Sequence, residues 1–334
     1  MAQTYGTPFY ETDQMSDWKP MNVLVLGGDG FLGSHLVDRL VDMGHRVTVF
    51  DRFPYRTTRN LEHLREKIRL INGEFANRQD LTDSLDGQEI VFHFICTTNP
   101  AESWNDPLIE VEENIRPTLT FFEIAVRQGI KKIVFPSSGG TVYGPQDSAV
   151  DELSTPKPMS PYGIAKLTIE HFLQYFHSRY GISVDIYRIG NPFGPRQPVF
   201  RPQGVIAVWM HAILCGTPIH IYGDHTTLRD YIYVRDVAHL MTHSMHHLTS
   251  SDIYNLGTGQ GTSVLQLLDI FNKVIDIPFD YQLHDRRPSD NASIVLNSSR
   301  LLNFYPGFKF HRLEDQIAET WTYFKTAFQT TCSA

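Results

Sequence analysis

The chain has 334 residues, enough for one large or two medium domains around a buried core. Its formal net charge is −8 and it has no Lys/Arg run, so polyanion binding is disfavoured and no nucleic acid is expected as a partner. Three cysteines (Cys96, Cys215, Cys332) without CxxC spacing suggest neither a disulfide framework nor a thiolate metal site and fit a reducing cytoplasm, and no run of about 18 apolar residues predicts membrane insertion.

Fifteen histidines, with His246 and His247 adjacent, show no HExxH or paired His/carboxylate spacing, so no metal is expected. Residues 1–20 are polar and aromatic and read as a loosely held tail. The stretch "NVLVLGGDGFLGSHLVDRLVDMGHRVTVFDR" then runs from an apolar strand through glycines into a helix with Leu32, Leu36, Leu40 and Val41 on one stripe. It ends in a second strand, which makes a βαβ unit. Further apolar strands follow at "IRLINGEF", "EIVFHFIC", "KKIVFPSS" and "SVDIYRIG". Helical stretches at "RPTLTFFEIAVRQG" and "YGIAKLTIEHFLQYFHSRYG" separate the later ones. The alternation predicts an α/β fold with a Rossmann-type, doubly wound parallel sheet. Residues 21–190 form this domain, joined by about 230–255. After residue 190 the irregular "NPFGPRQPVFRPQG" opens a smaller α/β substrate-binding region, read as 191–229 and 256–330. In it, "YNLGTGQGTSVLQLLDIFNKVI" is a glycine turn leading into an amphipathic helix, and "RLEDQIAETWTYFKTAF" is a closing one.

Gly27, Gly30 and Gly33 lie between the first strand and its helix, where backbone N–H groups and the helix end can meet a pyrophosphate. Asp51 closes the second strand, where an acid accepts hydrogen bonds from ribose hydroxyls and repels a 2′-phosphate, so NAD is the expected cofactor. A turn that only packs and an aspartate that only caps are the structural alternatives. Phe31, Leu32, Arg52, Glu74 and Phe75 are placed with the cofactor contacts. Tyr162 and Lys166 of "YGIAK" stand at i and i+4 and share one helical face. By itself that pair could equally decorate a surface. After the "VFPSSGG" strand end, it becomes a hydroxyl-rich loop, a phenol and an ammonium around one crevice.

These motifs carry a resemblance. "GGDGFLG", "VFHFIC", "ENIRPT", "SSGGTVYG", "SPYGIAK", "RIGNPFGPRQ", "RDYIYVRDVA", "YNLGTG" and "RRPSD" follow the order seen in extended short-chain dehydrogenase/reductases. Over about residues 21–325 the chain most resembles the nucleotide-sugar 4-epimerase group typified by UDP-galactose 4-epimerase. The resemblance implies that Tyr162 takes the proton from the sugar 4-hydroxyl as hydride passes to NAD, with Lys166 bonding the nicotinamide ribose and holding Tyr162 as phenolate. A phenol of pKa about 10 is a poor base at neutral pH, and each unit of depression needs about 1.4 kcal/mol. The resemblance further places Asn191, Arg229, Arg287 and Asp290 on a UDP-sugar and Ile294 beside the sugar C2 substituent. It also implies a homodimer, formed by the helix after "ENIRPT" and the helix of Tyr162, with Phe121, Phe122, Phe172 and Phe176 facing outward.

One position departs from the group. The residue four before the tyrosine of "VYG" is usually serine or threonine and hydrogen-bonds the 4-hydroxyl; here it is Gly139. Thr141, with Ser138 as second choice, is expected to replace that bond. Gly140 and Thr141 also stand where 4,6-dehydratases carry their acidic pair, so elimination chemistry is not expected. A uronate epimerase or decarboxylase, a 4-keto-sugar reductase and a non-catalytic NAD-binding protein are the alternatives. The group serves both galactose metabolism and surface-polysaccharide synthesis.

Overall fold

A computed structural model describes residues 19–53, 58–146, 148–199, 204–223, 225–285 and 293–332. The chain runs β1 (Asn22–Leu26), α1 (Phe31–Asp42), β2 (Arg46–Asp51), β3 (Arg69–Asn72), α2 (Arg78–Leu85) and β4 (Ile90–His93). Then come α3 (Pro100–Asn105), a π-helical turn Glu110–Ile115, α4 (Arg116–Arg127), β5 (Lys132–Ser138), α5 (Gly139–Val142), α6 (Pro161–Tyr180) and β6 (Ser183–Ile189). β7 (Asn191–Phe193), α7 (Val205–Leu214), β8 (Ile219–Tyr222), β9 (Leu228–Tyr233), α8 (Val234–Met241), α9 (His243–His246) and β10 (Asp252–Leu256) follow. The last elements are β11 (Gly261–Ser263), α10 (Val264–Val274), β12 (Tyr281–His284), α11 (Ser299–Leu302) and α12 (Leu313–Cys332).

Seven parallel strands form the central sheet in the order β3, β2, β1, β4, β5, β6, β10. β1 is paired on both sides, and its side chains alternate between two cores. Val23 and Val25 enter one with Leu36, Val37, Leu40 and Val237, while Leu24 and Leu26 enter the other with Phe121, Phe122, Ile169 and Leu173. Each fully buried aliphatic or aromatic side chain contributes roughly 1.5–3 kcal/mol, which is why these strands are apolar on both faces. The strand order reverses between β1 and β4, and that reversal opens a crevice at the carboxyl ends of the strands.

The outward aromatic face expected on α4 and α6 is not there. Phe121 and Phe122 are fully buried, Phe176 is 7% exposed and Phe172 packs against the same core. With both helices laid on the sheet, these aromatics bury the most area by turning inward. The solvent face of this layer instead carries Ile164 and Tyr175 on α6, Trp104 on α3, and Leu108 and Val111 at the π-helical turn.

A separate core joins α7, α10 and α12 over a three-stranded sheet (β11, β9, β7) and a two-stranded one (β12, β8). β9 leads into α8, which returns to pack on α1. No helix among the described residues is long and apolar enough to cross a membrane.

Candidate active site

The turn after β1 is built by its glycines. Gly27 has φ +75°, a backbone that L side chains rarely adopt, and its N–H donates to Phe50 O at 2.8 Å. A Cβ at Gly33 would sit 2.4 Å from Gly27 O, so only glycine lets α1 approach the strand this closely. No side chain caps α1, which leaves its first amides, those of Phe31, Leu32 and Gly33, without a side-chain acceptor. Asp51 stands beside this turn, its carboxylate accepting from Asp29 N (3.0 Å) and Arg52 N (2.8 Å). Burial pushes the Asp51 carboxyl above its ordinary range. These features fit a dinucleotide whose pyrophosphate faces the helix end. At the mouth, Arg52 pairs with Glu74 at 3.6 Å, so its charge is met by an acid. Phe75 turns its ring inward against His93 and Phe121.

Helix α6 is fixed at both ends. Ser160 Oγ accepts from Gly163 N, Pro161 occupies the first turn, and Gly181 closes the helix at φ +74°. A Cβ at Gly163 would meet Thr141 O at 2.7 Å, so glycine there lets α5 lie directly on α6. Tyr162 N donates to Ser103 Oγ at 3.2 Å, tying the helix start to α3. Lys166 is 7% exposed, lies 5.6 Å from the Tyr162 ring centre and 4.7 Å from that of Phe135, and donates to Pro136 O at 3.2 Å. The pair therefore shares one face under the end of β5. Burial raises the Tyr162 phenol well above its ordinary pKa, and the Cys96 thiol, within hydrogen-bonding reach of its hydroxyl, and the Glu110 carboxylate push it further the same way.

Gly139 is explained by packing. A Cβ there would lie 2.6 Å from Leu296 Cδ1 and 3.0 Å from Arg188 O, and Leu296 is fully buried. At Gly140 only Asn191 Oδ1, at 3.9 Å, comes within contact range. Thr141 is 8% exposed and its hydroxyl donates to Ser138 O at a long 3.4 Å, whereas the Ser138 side chain is half-buried and does not cap α5. Behind this loop, Glu170, one turn beyond Lys166, accepts from Ser137 Oγ and pairs with Arg188 at 2.7 Å; Arg188 reaches Tyr143 Oη at 3.0 Å, which donates to Asn255 Oδ1 at 2.7 Å.

Asn191 and Arg229 line a neighbouring cavity of about 350 Å³ walled by Val205, Val208, Trp209 and Ile221. Asn191 Nδ2 donates to Asp230 O at 3.2 Å. A larger cavity of about 570 Å³, lined by Tyr233, Thr262, Asp269 and His311, shares Phe193 and Tyr231 with it but none of the residues around Tyr162. Ile294 is not an open wall: it is 3% exposed, bridged to Arg229 and packed with Val142, Tyr143 and Leu296. Arg287 and Asp290 lie outside the described residues. Among the described residues no group of three or more His, Cys, Asp or Glu side chains could hold a metal.

Cys96, Ser103 and Glu110 entered the site without being singled out in the sequence. "ENIRPT" gave the signal for this region, since Glu110 lies one turn before its Asn114.

A glycine turn with an acid beyond it, and a tyrosine and lysine at the same sheet edge, define a dinucleotide-dependent enzyme of the Rossmann class. The chain belongs to the NAD dependent epimerase/dehydratase family, whose profile matches residues 23–257. It is 34% identical over 256 residues to a putative UDP-glucose 4-epimerase of Methanocaldococcus jannaschii, covering 76% of this chain and 82% of that one. Among solved structures it resembles the UDP-N-acetylglucosamine 4-epimerase of Methanobrevibacter ruminantium in complex with UDP-N-acetylmuramic acid, with TM-score 0.84, 32% identity and coverage of 93% and 100%. The UDP-glucose 4-epimerase of Thermus thermophilus in complex with NAD superposes with TM-score 0.82 at 30% identity, covering 92% and 100%.

Proposed function

We propose that this chain is an NAD-dependent 4-epimerase of a UDP-sugar. The observation that carries the reading is the Tyr162–Lys166 face at the carboxyl edge of the sheet that also bears the glycine turn and Asp51. The glycine turn and Asp51 would hold NAD, which would supply reversible hydride transfer at C4 of the sugar, so the reaction has no net redox change. Tyr162 accepts the 4-hydroxyl proton and gives it back in the second half. Burial and the nearby acid oppose the phenolate, so its formation depends on positive charge, of which Lys166 is the part this chain supplies.

Ser138 and Thr141 supply the hydroxyls that Gly139 lacks. Ser138 is the better placed, being half-buried at the open end of β5 while Thr141 is turned back on Ser138 O. Asn191 and Arg229, with Arg287, hold the diphosphate, for which a guanidinium offers a planar two-oxygen fork, and Asp290 bonds the nucleotide sugar. The apolar wall around Trp209 takes the base. UDP-sugar use is supported by the names of the relatives. A reducing cytoplasm suits the free thiols of Cys96 and Cys215. A homodimer is supported by the exposed apolar side chains of Trp104, Leu108, Val111, Ile164 and Tyr175, which lie on elements packed against one another. A purely monomeric sedimentation profile at micromolar concentration would remove that part.

The test is proton NMR of the protein with catalytic NAD and, separately, UDP-glucose, UDP-N-acetylglucosamine and UDP-glucuronate. A new anomeric signal of one C4 epimer is expected, lost in Tyr162→Phe. A rate drop of about 10²–10³ is expected in Ser138→Ala and a smaller one in Thr141→Val. Silence with all three sugars, or undiminished turnover in Tyr162→Phe, refutes the reading.

A further inference from the structure

Strand β9 lies between β7 and β11, and its alternate residues Arg229 and Tyr231 line the cavity of about 350 Å³. Asp230, between them, points to the opposite face of the strand and is fully buried. Burying a carboxylate costs several kcal/mol unless donors meet it. Here Oδ1 accepts from Thr258 N at 2.8 Å and Thr258 Oγ1 at 2.7 Å, while Oδ2 accepts from Gly259 N at 3.1 Å and Leu296 N at 3.0 Å. Two donors on each oxygen fill the capacity of an ionised carboxylate, and all of them are neutral. Side-chain-free backbone makes room for the residue: a Cβ at Gly257 would sit 2.5 Å from Oδ2, and one at Gly190 would sit 2.8 Å from Asp230 O. These bonds tie separate segments to one point. Asp230 O accepts from Asn191 Nδ2 at 3.2 Å, which leaves Asn191 Oδ1 on the side of Gly140. Leu296 belongs to a segment zipped along β9: Leu228 N donates to Ser293 Oγ at 2.9 Å, Ile294 N donates to Leu228 O at 3.2 Å, and Ile294 is bridged to Arg229. Thr258 and Gly259 form the turn between β10 and β11.

We infer that Asp230 is a positioning residue of the substrate site: its carboxylate locks the segments around β9 together and so sets the Asn191 amide and the Arg229 backbone in the geometry that meets a diphosphate. The inference rests on the proposed diphosphate role of Asn191 and Arg229. The Asp230 side chain faces away from the cavity, so it acts on affinity through its neighbours and not by touching the ligand. A neutral amide of the same shape cannot take its place. Whichever way an asparagine side chain were turned there, its NH2 would meet a backbone N–H, that of Thr258 on one side or those of Gly259 and Leu296 on the other. The turn or the zipped segment would then be released, and with it the wall behind Asn191 and Arg229.

The test reads binding to the full chain and not turnover. UDP and NAD are titrated calorimetrically, in separate runs, into the wild type and into Asp230→Asn. UDP affinity is expected to fall about tenfold or more, since bonds to a charged group are lost, while NAD affinity stays as in the wild type. Thr258→Val removes one donor and leaves the carboxylate in place, so its UDP affinity is expected to fall about threefold, and it decides the matter if Asp230→Asn does not fold. The loss caused by Asp230→Asn is expected to shrink in an Asn191→Ala background, where the amide it positions is already gone. UDP affinity unchanged in Asp230→Asn, or in Thr258→Val where the first variant does not fold, overturns the inference. So do UDP and NAD weakened by the same factor, which would mark a general role in the fold, and a loss undiminished in the Asn191→Ala background. A wild type that binds NAD but no UDP refutes the UDP-sugar reading and the inference with it, whereas wild-type UDP binding that the variants leave intact removes the inference alone.

Discussion

Gly139 shows how one missing Cβ can be forced by a neighbour. Leu296 fills the space a side chain would need, and as a fully buried residue it has nowhere to move. Gly139→Ala is therefore expected to destabilise by about 1–3 kcal/mol through overpacking. Gly140→Ala, with only Asn191 Oδ1 near its Cβ, is expected to be neutral or to stabilise α5 by up to about 0.5–1 kcal/mol, the glycine penalty in a helix. Urea midpoints of the two variants separate these outcomes; equal midpoints would contradict the packing account. The same geometry explains why position 139 carries no side chain.

Among the elements, α6 carries both the Tyr162–Lys166 face and its foundation. Lys166 and Glu170 are one turn apart; the first faces the crevice and the second forms the buried pair with Arg188 of β6, which also reaches Tyr143 beside α5. The guanidinium is held charged even more firmly than usual by its hydrogen bond to Glu170. Removing one member of such a pair strands the other charge in the core. Glu170→Ala is expected to cost about 3–5 kcal/mol, whereas a Glu170→Met, Arg188→Met double variant should cost distinctly less, because no charge is left behind. Chemical denaturation gives both numbers, and a double variant as unstable as the single one would show that the network holds α6 by more than charge. If the network sets the position of Tyr162, the folded Glu170→Ala fraction will also turn over more slowly.

For the whole molecule, four buried histidines set the acid limit. His35, His93, His239 and His243 are all 5% exposed or less, and burial lowers each to about 3. Above pH 6.5 they are neutral in both states and have no effect. Below it the unfolded chain takes up protons that the folded one refuses, so stability falls as pH drops from about 6.5 towards 3. At pH 5 each accounts for about 2 kcal/mol of that loss. Their total approaches the 5–15 kcal/mol typical of a folded protein, so acid unfolding is expected with a midpoint near pH 5. His311 works the other way: its hydrogen bond with Asp236 raises its pKa, so its contribution is complete below about 6.5 and is lost as pH rises through the raised value. Circular dichroism against pH checks the sum, and a chain still folded at pH 4 would contradict it.

Hydrophobic period and glycine placement determined the parallel sheet from the sequence, because a strand buried on both faces must be apolar throughout and a pyrophosphate turn must lack side chains. Tyr162, Lys166, Asp51 and the glycines were legible for the same reason, since each lies at a fixed offset within one local motif. The direction of Phe121, Phe122 and Phe176 was not, as an aromatic stripe fits a sheet or a partner equally well until the packing partner is known. Neither was the burial of Glu110: an acid before "ENIRPT" looks solvated, and only the π-helical turn together with Thr98, brought from another strand end, turns it inward. Gly139 was visible as a gap, but its cause lay in Leu296, 157 residues away in the chain. Local motifs are written in consecutive residues, whereas burial, charge and room for a side chain depend on what the fold brings from elsewhere.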